Sequence, residues 1–570
     1  MDRLDFGGNG VAGGKRAAMS ASGEGLFPLS PAQLGIWYAQ HVDPQVPITV
    51  ALYVDLHGEL DVSMLERALI DTSHELGSWF LRVIEHDGEP WQWVDSSIAD
   101  SDGVEHVDFR NADDPVATAT EWMRADYSRP LNIVTDRLIK VAALQLDDDH
   151  WFWYARAHHI ALDGFGAMTN VRRIAQLYTA YDNGTEPTPS EAVDQRTLVE
   201  SEFDYRESEE FASDKEYWAQ RVAGLEAGTS LVGRSAAPAP LNRIASAVLS
   251  DEQNGLLEAA STRLAPSRPG LLIAAFATYM AQWTGSEDVV LSLPVTARTT
   301  RAMRRSGGAV SNIVPLRLRV GYDTTIADLL QQIQTEVMNA LSHQRYRHED
   351  IRRDNVGDGA VDRGYFGPWI NIMLFLDELM LGPMSGRLHV LSTGSIEDLG
   401  VNFYQSQGGA GSRIDFETNP NLYTEGETRE HHSRFLEFFG RFLAADADTA
   451  VWSLDVTTGD ERERTLLEWN DSEQDVPETT LAALLDAQMP LTPDNIALDF
   501  EGTTLAHPSP DRHPSSSRSA TLTYSEFHAR VNRLARFLIA DGVGPESLVA
   551  LGMRRSLELV IGMHAVVKAG

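Results

Sequence analysis

Cysteine is absent from all 570 residues of this chain. Its absence excludes disulfide bonds, zinc–thiolate sites and a cysteine nucleophile, and no metal site is predicted. It is also consistent with a cytoplasmic location, which we predict. The longest apolar run, at 271–283, contains Thr278 and Gln282 and is shorter than the roughly 20 residues that cross a bilayer. No membrane partner is therefore expected.

Positive charge is also scarce. Lys and Arg total 47 against 83 Asp and Glu, so the formal net charge is -36. Binding to phosphates requires clustered Lys and Arg, and this balance argues against a nucleic acid partner. Hydrophobic residues make up 43% of the chain, as in ordinary soluble proteins. The length exceeds that of one compact domain, so at least two core-forming units are expected.

The first 25 residues lack an apolar stretch, so they do not form a signal peptide. They are rich in Gly, Ala and Ser, and we predict a disordered tail. Gly14-Lys15 resembles the end of a phosphate-binding loop. However, Asn9 stands where that loop needs its first glycine, and Arg16 stands where it needs Ser or Thr.

From Leu26 onward the patterns of helices and strands alternate. Ser30-Pro31 is a helix-start signal, because a hydroxyl cap precedes a proline that suits the first turn. The alternation predicts an α/β or α+β protein with two lobes. The predicted helices are 31–40, 61–76, 165–181, 269–284, 325–343 and 428–445, and the predicted strands are 48–58, 151–157, 287–293, 312–320 and 367–376.

The most informative segment is His158-His159-Ile160-Ala161-Leu162-Asp163-Gly164. It lies where an aromatic strand pattern ends and a helix pattern begins, a position at which α/β enzymes often place reacting side chains. A histidine there can exchange a proton near neutral pH. The glycine would let a ligand approach closely. Composition alone also allows two half-buried histidines in an ordinary turn.

A second histidine pair, His431-His432, offers a comparison. It lies in the amphipathic stretch TREHHSRFLEFF and is not followed by Asp-Gly. We interpret it as part of a solvated helix face.

His-His-x-x-x-Asp-Gly at 158–164 resembles the signature of nonribosomal peptide synthetase condensation domains, which is shared with chloramphenicol acetyltransferase. Three further segments resemble motifs of the same family in the same order. They are LSPAQLGIWYAQ at 29–40, GAVSNIVPLRL at 308–318 and HQRYRHED at 343–350. The order and spacing of the motifs agree with the family along about 430 residues.

Other strings resemble the siderophore synthetases within this family: WQWV at 91–94, HHIALDGF at 158–165, FGPWINIMLF at 366–375 and STGSIEDL at 392–399. Near the end of the chain, WNDSE at 469–473, LTYSEF at 522–527 and VVKAG at 566–570 resemble the join to an adenylation domain and its first core motifs.

The resemblance implies a two-lobed pseudo-dimer like chloramphenicol acetyltransferase, followed by a partial adenylation domain. The expected boundaries are a tail at 1–25, an N-terminal lobe at 26–186, a C-terminal lobe at 187–460, a linker at 461–485 and an adenylation fragment at 486–570. The Ser/Thr/Gly-rich nucleotide loop of adenylation domains is not among these residues, so adenylation is not expected from them.

The resemblance also implies roles for individual residues. His159 is the candidate catalytic residue, acting either as a general base or by orienting the amine, and the sequence does not separate these roles. His158 is assigned to structure, and Asp163 is expected to form an ion pair with Arg298. Gly164 is expected to keep the acceptor entrance open. Asn312 and Asn371 are weaker candidates for lining the tunnel or for polar support.

The implied reaction joins a donor acyl thioester to the amine of an acceptor aminoacyl thioester. Each substrate arrives on the phosphopantetheine arm of a carrier protein, and no permanently bound cofactor is expected. If Met1 is the natural start, only a tail precedes the condensation motifs, and the donor carrier is then expected to be a separate protein. The acceptor carrier is expected downstream in the full synthetase. A siderophore pathway with an aromatic acyl donor is the expected setting, although aliphatic and peptidyl donors fit the same signature.

Four alternatives were weighed against this interpretation. An epimerization domain would carry a Glu-Gly-His-Gly motif, which is missing. A cyclization domain would have Asp in place of His158. A free acyl-CoA acyltransferase would lack the adenylation join. A non-catalytic docking module tends to lose the second histidine, and His159 is present.

Overall fold

The computed structural model of the chain describes residues 25–100, 103–225, 228–264, 267–355, 366–373, 378–405, 411–502 and 518–570. The predicted tail therefore lies almost entirely outside the described residues. The chain forms two compact units, Met1–Arg462 and Glu463–Gly570. Among the described helices, none is both long and apolar enough to cross a membrane.

Strands and helices alternate through the first unit, so the predicted mixed α/β class is confirmed. The strands are β1 (Phe27–Pro28), β2 (Thr49–His57), β3 (Leu81–His86), β4 (Glu89–Val94), β5 (Glu105–Asp108), β6 (Ile139–Gln145), β7 (His150–His158), β8 (Arg243–Val248), β9 (Asp288–Val295), β10 (Asn312–Arg319), β11 (Trp369–Met373), β12 (Leu379–Leu381), β13 (Met384–Thr393), β14 (Leu399–Gln405) and β15 (Ser412–Thr418). The helices are α1 (Pro31–Val42), α2 (Val62–Leu76), α3 (Pro115–Tyr127), α4 (Gly164–Asp182), α5 (Gln195–Arg206), α6 (Glu209–Arg221), α7 (Asp251–Leu264), α8 (Arg268–Thr284), α9 (Ile326–Ser342), α10 (His348–Asn355), α11 (Glu425–Ala444) and α12 (Gly459–Glu463).

The N-terminal sheet has six strands in the order β12-β13-β2-β7-β6-β5. One face packs on α2 and α4, where Leu65 and Val171 join Leu52 and Trp153 in one buried cluster. The other face packs on α3 through a smaller cluster. Burial of apolar area on both faces supplies most of the driving force for this lobe. A separate small sheet has the order β1-β4-β3.

The second large sheet has the order β10-β9-β11-β14-β15-β8. Helices α8, α9 and α11 pack on this sheet and form the main core of the lobe with it. Helix α8 is buried from Gly270 to Ala281. The predicted helices 269–284 and 325–343 are confirmed as α8 and α9. The strand predicted at 367–376 is observed as β11, and residues 374–377 lie outside the described part.

The C-terminal lobe contributes two strands to the sheet of the N-terminal lobe. β13 pairs antiparallel with β2, with Leu388 opposite Val54, although the predicted boundaries assign residues 379–393 to the C-terminal lobe. β12 and β13 therefore extend the N-terminal sheet. A boundary drawn along the sequence cannot represent this, because the pairing joins segments more than 300 residues apart.

The interpretation of His431-His432 as a solvated face is wrong. Both residues are buried, with relative exposures of 8% and 6%. The Tyr279 hydroxyl lies 2.9 Å from His431 Nδ1, and His432 Nε2 donates to Ile414 O at 3.0 Å. His431 lies one helical turn before Phe435, so it belongs to the buried phenylalanine stripe of α11. The prediction was wrong because histidine is polar and was taken to be solvated, although its spacing from Phe435 places it on the apolar face.

The second unit is smaller. Its two strands, β16 (Ile496–Gly502) and β17 (Arg518–Thr523), pair antiparallel. A π-helical turn spans Arg464–Glu468, and the helices that follow are α13 (Leu481–Gln488), α14 (Tyr524–Ala540) and α15 (Leu557–Ala569). Phe527 and Ile561 belong to the core that joins α14 to α15.

Candidate active site

The two histidines of the signature lie at the end of β7, immediately before the turn into α4. Helix α1 holds this turn at two points. Gln33 Nε2 donates to Ile160 O at 3.0 Å, and Gln40 Oε1 lies 3.0 Å from His158 Nε2. The segment 29–40 thus contacts the histidine segment directly, and both glutamines are buried.

His158 is fully buried. The Ile160 backbone N–H donates to His158 Nδ1 at 3.1 Å, so Nδ1 carries no proton. Nε2 must then be the protonated nitrogen that donates to Gln40. Burial, with the nearby His159 and Arg156, lowers the pKa of His158 to about 3. Both nitrogens are occupied and the ring stays neutral, so His158 has no free site for proton transfer.

His159 is partly buried, and its ring lies on the wall of a cavity. Its Nε2 donates to the backbone carbonyl of Thr393, 3.2 Å away at the end of β13. Burial lowers the pKa of His159, although the bond to Thr393 and the charge of Asp163 act in the opposite direction. The imidazole is therefore neutral near neutral pH and can accept a proton or a hydrogen bond.

Asp163 caps the N-terminus of α4. Its Oδ1 accepts from Gly166 N at 2.7 Å. Its Oδ2 accepts from Arg298 Nη1 at 2.7 Å and from the backbone N–H groups of Val310 and Ser311 at 2.8 and 2.7 Å. Burial alone would raise the pKa of Asp163, but the Arg298 charge and these hydrogen bonds hold it far below its usual range. A carboxylate saturated in this way is a structural anchor and not a free base.

Arg298 is the predicted partner of Asp163, and the structure brings the two side chains together. The exposed fractions of the Arg298 and Asp163 side chains are only 1% and 4%. Arg298 Nη2 also donates to Gly308 O at 2.7 Å, and its guanidinium lies over the Phe165 ring. The pair fastens the turn before α4 to the segment before β10 in the other lobe.

A second buried ion cluster holds the same segment from its other side. Arg347 Nη1 donates to Val310 O and Ser311 O at 2.6 and 2.9 Å, and its Nη2 contacts Glu202. Sequence reasoning missed Glu202, because a single glutamate in a helix gives no local signal of burial. The backbone at 308–311 thus donates N–H hydrogen bonds to Asp163, and its carbonyl groups accept hydrogen bonds from Arg298 and Arg347.

Two glycines near the turn differ. Gly164 has open space around it, with no atom within 4 Å of an added Cβ, and its φ is not positive. This glycine therefore lets another molecule approach the backbone closely, and it is not needed for an unusual backbone conformation. At Gly166 an added Cβ would lie 2.6 Å from Gly307 O. The structure therefore leaves no room for a side chain at position 166.

Asn312 lines the cavity, but its amide is used by the protein itself. Nδ2 donates to Gln344 O and Tyr346 O at 2.9 and 2.7 Å, and Oδ1 accepts from His348 N at 3.1 Å. Asn312 therefore holds the segment 344–348 in place. Asn371, on β11, also lines the cavity, and its Nδ2 donates to Asn402 Oδ1 at 3.1 Å.

The cavity has a volume of about 610 Å³ and is walled by both lobes. It is large enough for a small-molecule substrate or two short ones. Its walls combine apolar side chains with polar and charged ones. The polar residues include His159, Asn312, Asn371 and Thr393.

One further cluster lies away from this cavity. Ligand atoms of Asp55, His57 and His150 lie within 4.8 Å of one another, a spacing that could hold a metal ion, whereas no metal site was predicted. His150 Nε2 lies 2.8 Å from Asp55 Oδ1, so these two groups already pair with each other.

The family model of the condensation domain matches residues 23–465, and that of the AMP-binding enzymes matches residues 486–570. A dimodular nonribosomal peptide synthase of Bacillus subtilis is 34% identical over 95% of this chain. Enterobactin synthase component F of Escherichia coli K12 is 31% identical over 95% of this chain. The matched stretch is 22% of the first relative and 41% of the second, so the chain spans well under half of either protein.

Among solved structures, a mutant of the starter condensation domain of rhizomide synthetase, in complex with C8-CoA and Leu-SNAC, matches with a TM-score of 0.70 at 32% identity. The match covers 77% of this chain and 98% of that domain. The predicted condensation-domain architecture is thereby confirmed.

Proposed function

Because this chain belongs to the condensation domain family of nonribosomal peptide synthetases and continues into the start of an AMP-binding domain, we propose that it forms an amide bond between two substrates carried on phosphopantetheine arms. The donor is an acyl thioester and the acceptor is an aminoacyl thioester. The observation that carries this proposal is the His159 ring on the wall of a cavity enclosed by both lobes.

In the proposed reaction the acceptor amine attacks the carbonyl carbon of the donor thioester. The resulting tetrahedral intermediate collapses by breaking the C–S bond, and the proton lost by the amine leaves with the donor thiol. A thioester is already activated, so no covalent enzyme intermediate is required. Holding both substrates in one cavity could supply about 7–11 kcal/mol of the barrier reduction.

His159 is proposed as the catalytic residue. The neutral imidazole either accepts the amine proton, a role worth about 10²–10⁴-fold, or hydrogen-bonds the amine and orients it. In the structure Nε2–H donates a hydrogen bond to Thr393 O, so Nδ1 is the unprotonated nitrogen. Nε2 could act as the base only after this hydrogen bond breaks and the proton moves to Nδ1. His158, Asp163 and Arg298 are proposed to fix the turn, and Gly164 to leave room for the acceptor arm.

We further propose that the setting is siderophore synthesis with an aromatic acyl donor from a separate carrier protein. The likeness to enterobactin synthase component F supports this. The likeness to a domain solved with C8-CoA supports a fatty acyl donor as the second candidate. Contacts between the domain and a separate carrier would be small and sensitive to salt.

One experiment tests both levels of the proposal. Carriers loaded with dihydroxybenzoate, a fatty acyl group or a peptide are each mixed with aminoacyl-loaded acceptor carriers, and amide yield is measured. Amide from any donor supports condensation, and preference for dihydroxybenzoate supports the siderophore setting. A preference for fatty or peptidyl donors would remove the siderophore proposal alone. No amide from any pair would contradict condensation.

For residues 486–570 taken by themselves we propose no adenylation, since the nucleotide loop typical of that family is not among them. Amino-acid-dependent ATP–pyrophosphate exchange by the chain would contradict this.

A further inference from the structure

Glu417 is a buried carboxylate behind the cavity wall, with only 4% of its surface exposed. It lies on β15, where it is in register with Gly400 of the neighbouring strand β14. Asn402 lies two residues further along β14, and it is in register with Asn371 on β11. Asn402 Nδ2 donates to Glu417 Oε1 at 2.7 Å, and Asn371 Nδ2 donates to Asn402 Oδ1 at 3.1 Å. The three side chains form a row that ends at the cavity.

Glu417 determines which end of each asparagine amide donates and which accepts along this row. A carboxylate can only accept hydrogen bonds, so Asn402 must turn its Nδ2 toward Glu417 and its Oδ1 toward Asn371. Asn371 must then turn its Nδ2 toward Asn402. Within the part of the chain that the structure describes, no group donates to Asn371 Oδ1, and Asn371 lines the cavity.

The other oxygen of Glu417 is held independently. Asn242 Nδ2 donates to Glu417 Oε2 at 3.0 Å, and Thr393 Oγ1 lies 3.4 Å from the same oxygen. The side-chain amide of Asn242 cannot exchange the positions of its oxygen and nitrogen, because Oδ1 accepts from Ile396 N at 3.2 Å and Nδ2 also donates to Gly394 O at 2.9 Å. Oε2 is therefore always an acceptor, and any proton on the carboxyl would lie on Oε1, facing Asn402.

We propose that Glu417 is a positioning residue that, through Asn402, turns the carbonyl oxygen of Asn371 into the cavity as a hydrogen-bond acceptor for the acceptor substrate's amine. This inference rests on the proposed function. The amine has N–H groups to donate while its lone pair attacks, whereas the donor thioester offers only acceptors at its reacting group. An acceptor at Asn371 thus recognises the aminoacyl substrate and not the acyl donor.

Glutamine has nearly the same shape as glutamate, yet at position 417 it should reverse the orientation of both asparagine amides. In Glu417→Gln the side-chain oxygen must remain at the Asn242 and Thr393 side, so the new NH₂ group faces Asn402. Asn402 must then flip, Asn371 must flip with it, and an NH₂ group replaces the carbonyl oxygen toward the cavity. Adding Asn402→Asp restores the original direction, because a carboxylate at 402 accepts from both neighbours. The double variant also keeps the wild-type charge.

The test is amide formation with the proteinogenic aminoacyl N-acetylcysteamine thioester that the wild-type chain uses best. It is run at pH 8, because burial raises the pKa of Glu417 to about 7. The other titratable groups that interact with Glu417 are Asp415 and Arg413 on β15, Tyr404 on β14 and Tyr127 on α3. Asp415→Asn is the matched control, a buried carboxylate on the same strand whose side chain hydrogen-bonds Ser246 and not the three side chains of the row.

We expect Glu417→Gln to lower kcat/KM for the amine about tenfold, which corresponds to one lost hydrogen bond and one unfavourable contact. Glu417→Gln with Asn402→Asp should recover most of this loss, and Asp415→Asn should stay near wild type per folded molecule. Wild-type kcat/KM in Glu417→Gln, or no recovery in the double variant, would overturn the proposal. Asn371→Leu provides a second check, since it removes the acceptor and should give a similar loss. If the wild-type chain itself forms no amide, it is the proposed function that fails.

Discussion

The chain contains two His-His pairs, and His158, His431 and His432 are buried while His159 is partly buried, yet only one pair belongs to a site. His158-His159 ends a strand and His431-His432 lies within a helix. His159 and His432 each donate Nε2 to a backbone carbonyl, at 3.2 and 3.0 Å. The difference is access, since His159 borders the cavity while His432 packs against Phe416 in the core. Burial and a hydrogen bond thus do not identify a catalytic histidine, whereas contact with a substrate-sized cavity does.

The largest expected difference between the pairs is in activity. His159→Ala should lower amide formation by about 10²–10⁴-fold, because the group that faces the amine is lost. The matched control His432→Ala should keep the wild-type rate per folded molecule. Rates are measured with both carriers loaded, and folding is checked by thermal unfolding. Near wild-type condensation by a folded His159→Ala variant would contradict the assignment.

Asp163→Ala should lower the free energy of unfolding by about 3–5 kcal/mol, since it leaves Arg298 buried without its partner. The second pair lies beside the Arg434–Glu461 ion pair, which is not a cap of its helix, so the variant tests what holds the first pair in place. Denaturant unfolding and amide formation are measured on the same preparation. A variant that is as stable as wild type but slow would indicate direct catalysis by Asp163.

His432→Ala should destabilise the fold by about 1–3 kcal/mol, because it leaves the Ile414 carbonyl without its donor in an apolar setting. His432→Gln can reach the same carbonyl and should recover part of this loss. Denaturant midpoints give the comparison. Loss of condensation in a fully folded His432→Ala variant would break the distinction between the two pairs.

The last expected effect is on pH dependence. Burial lowers the pKa of His158 to about 3 and that of His431 to about 4, from an ordinary 6.5. The unfolded chain therefore takes up protons first, so the stability is present above pH 6.5 and is lost as pH falls toward these values. His431→Gln should reduce the loss between pH 6 and 4 by about 1.4 kcal/mol per pH unit. Equal slopes for wild type and His431→Gln in denaturant unfolding at several pH values would contradict this.

Much of the fold could be predicted where a periodic pattern is long and ends at a clear cap. The helix at 61–76 was predicted within one residue, since Asp61 caps it and its apolar side chains recur on one face. The pairing of β13 with β2 could not be predicted, because strands so far apart in sequence leave no local pattern.

The candidate site divides in the same way. Residues 158–164 are contiguous and carry a recognisable motif, and the resemblance supplied Arg298. Glu417 gave no signal, because β15 alternates Ile414 and Phe416 with Arg413, Asp415 and Glu417. Such alternation indicates a strand with one solvated face. In the structure Asp415 and Glu417 are buried, and each is hydrogen-bonded by a polar side chain from a neighbouring segment, Ser246 for Asp415 and Asn242 for Glu417.

The most direct test of the central claim follows a labelled donor acyl group in a single turnover. The donor carrier bears the label, the acceptor carrier bears an unlabelled aminoacyl group, and samples are quenched over time. The account predicts that the label moves from the donor carrier to the acceptor carrier through an amide bond and is never attached to this chain. Label bound covalently to the chain, or no transfer while both carriers remain loaded, would contradict it.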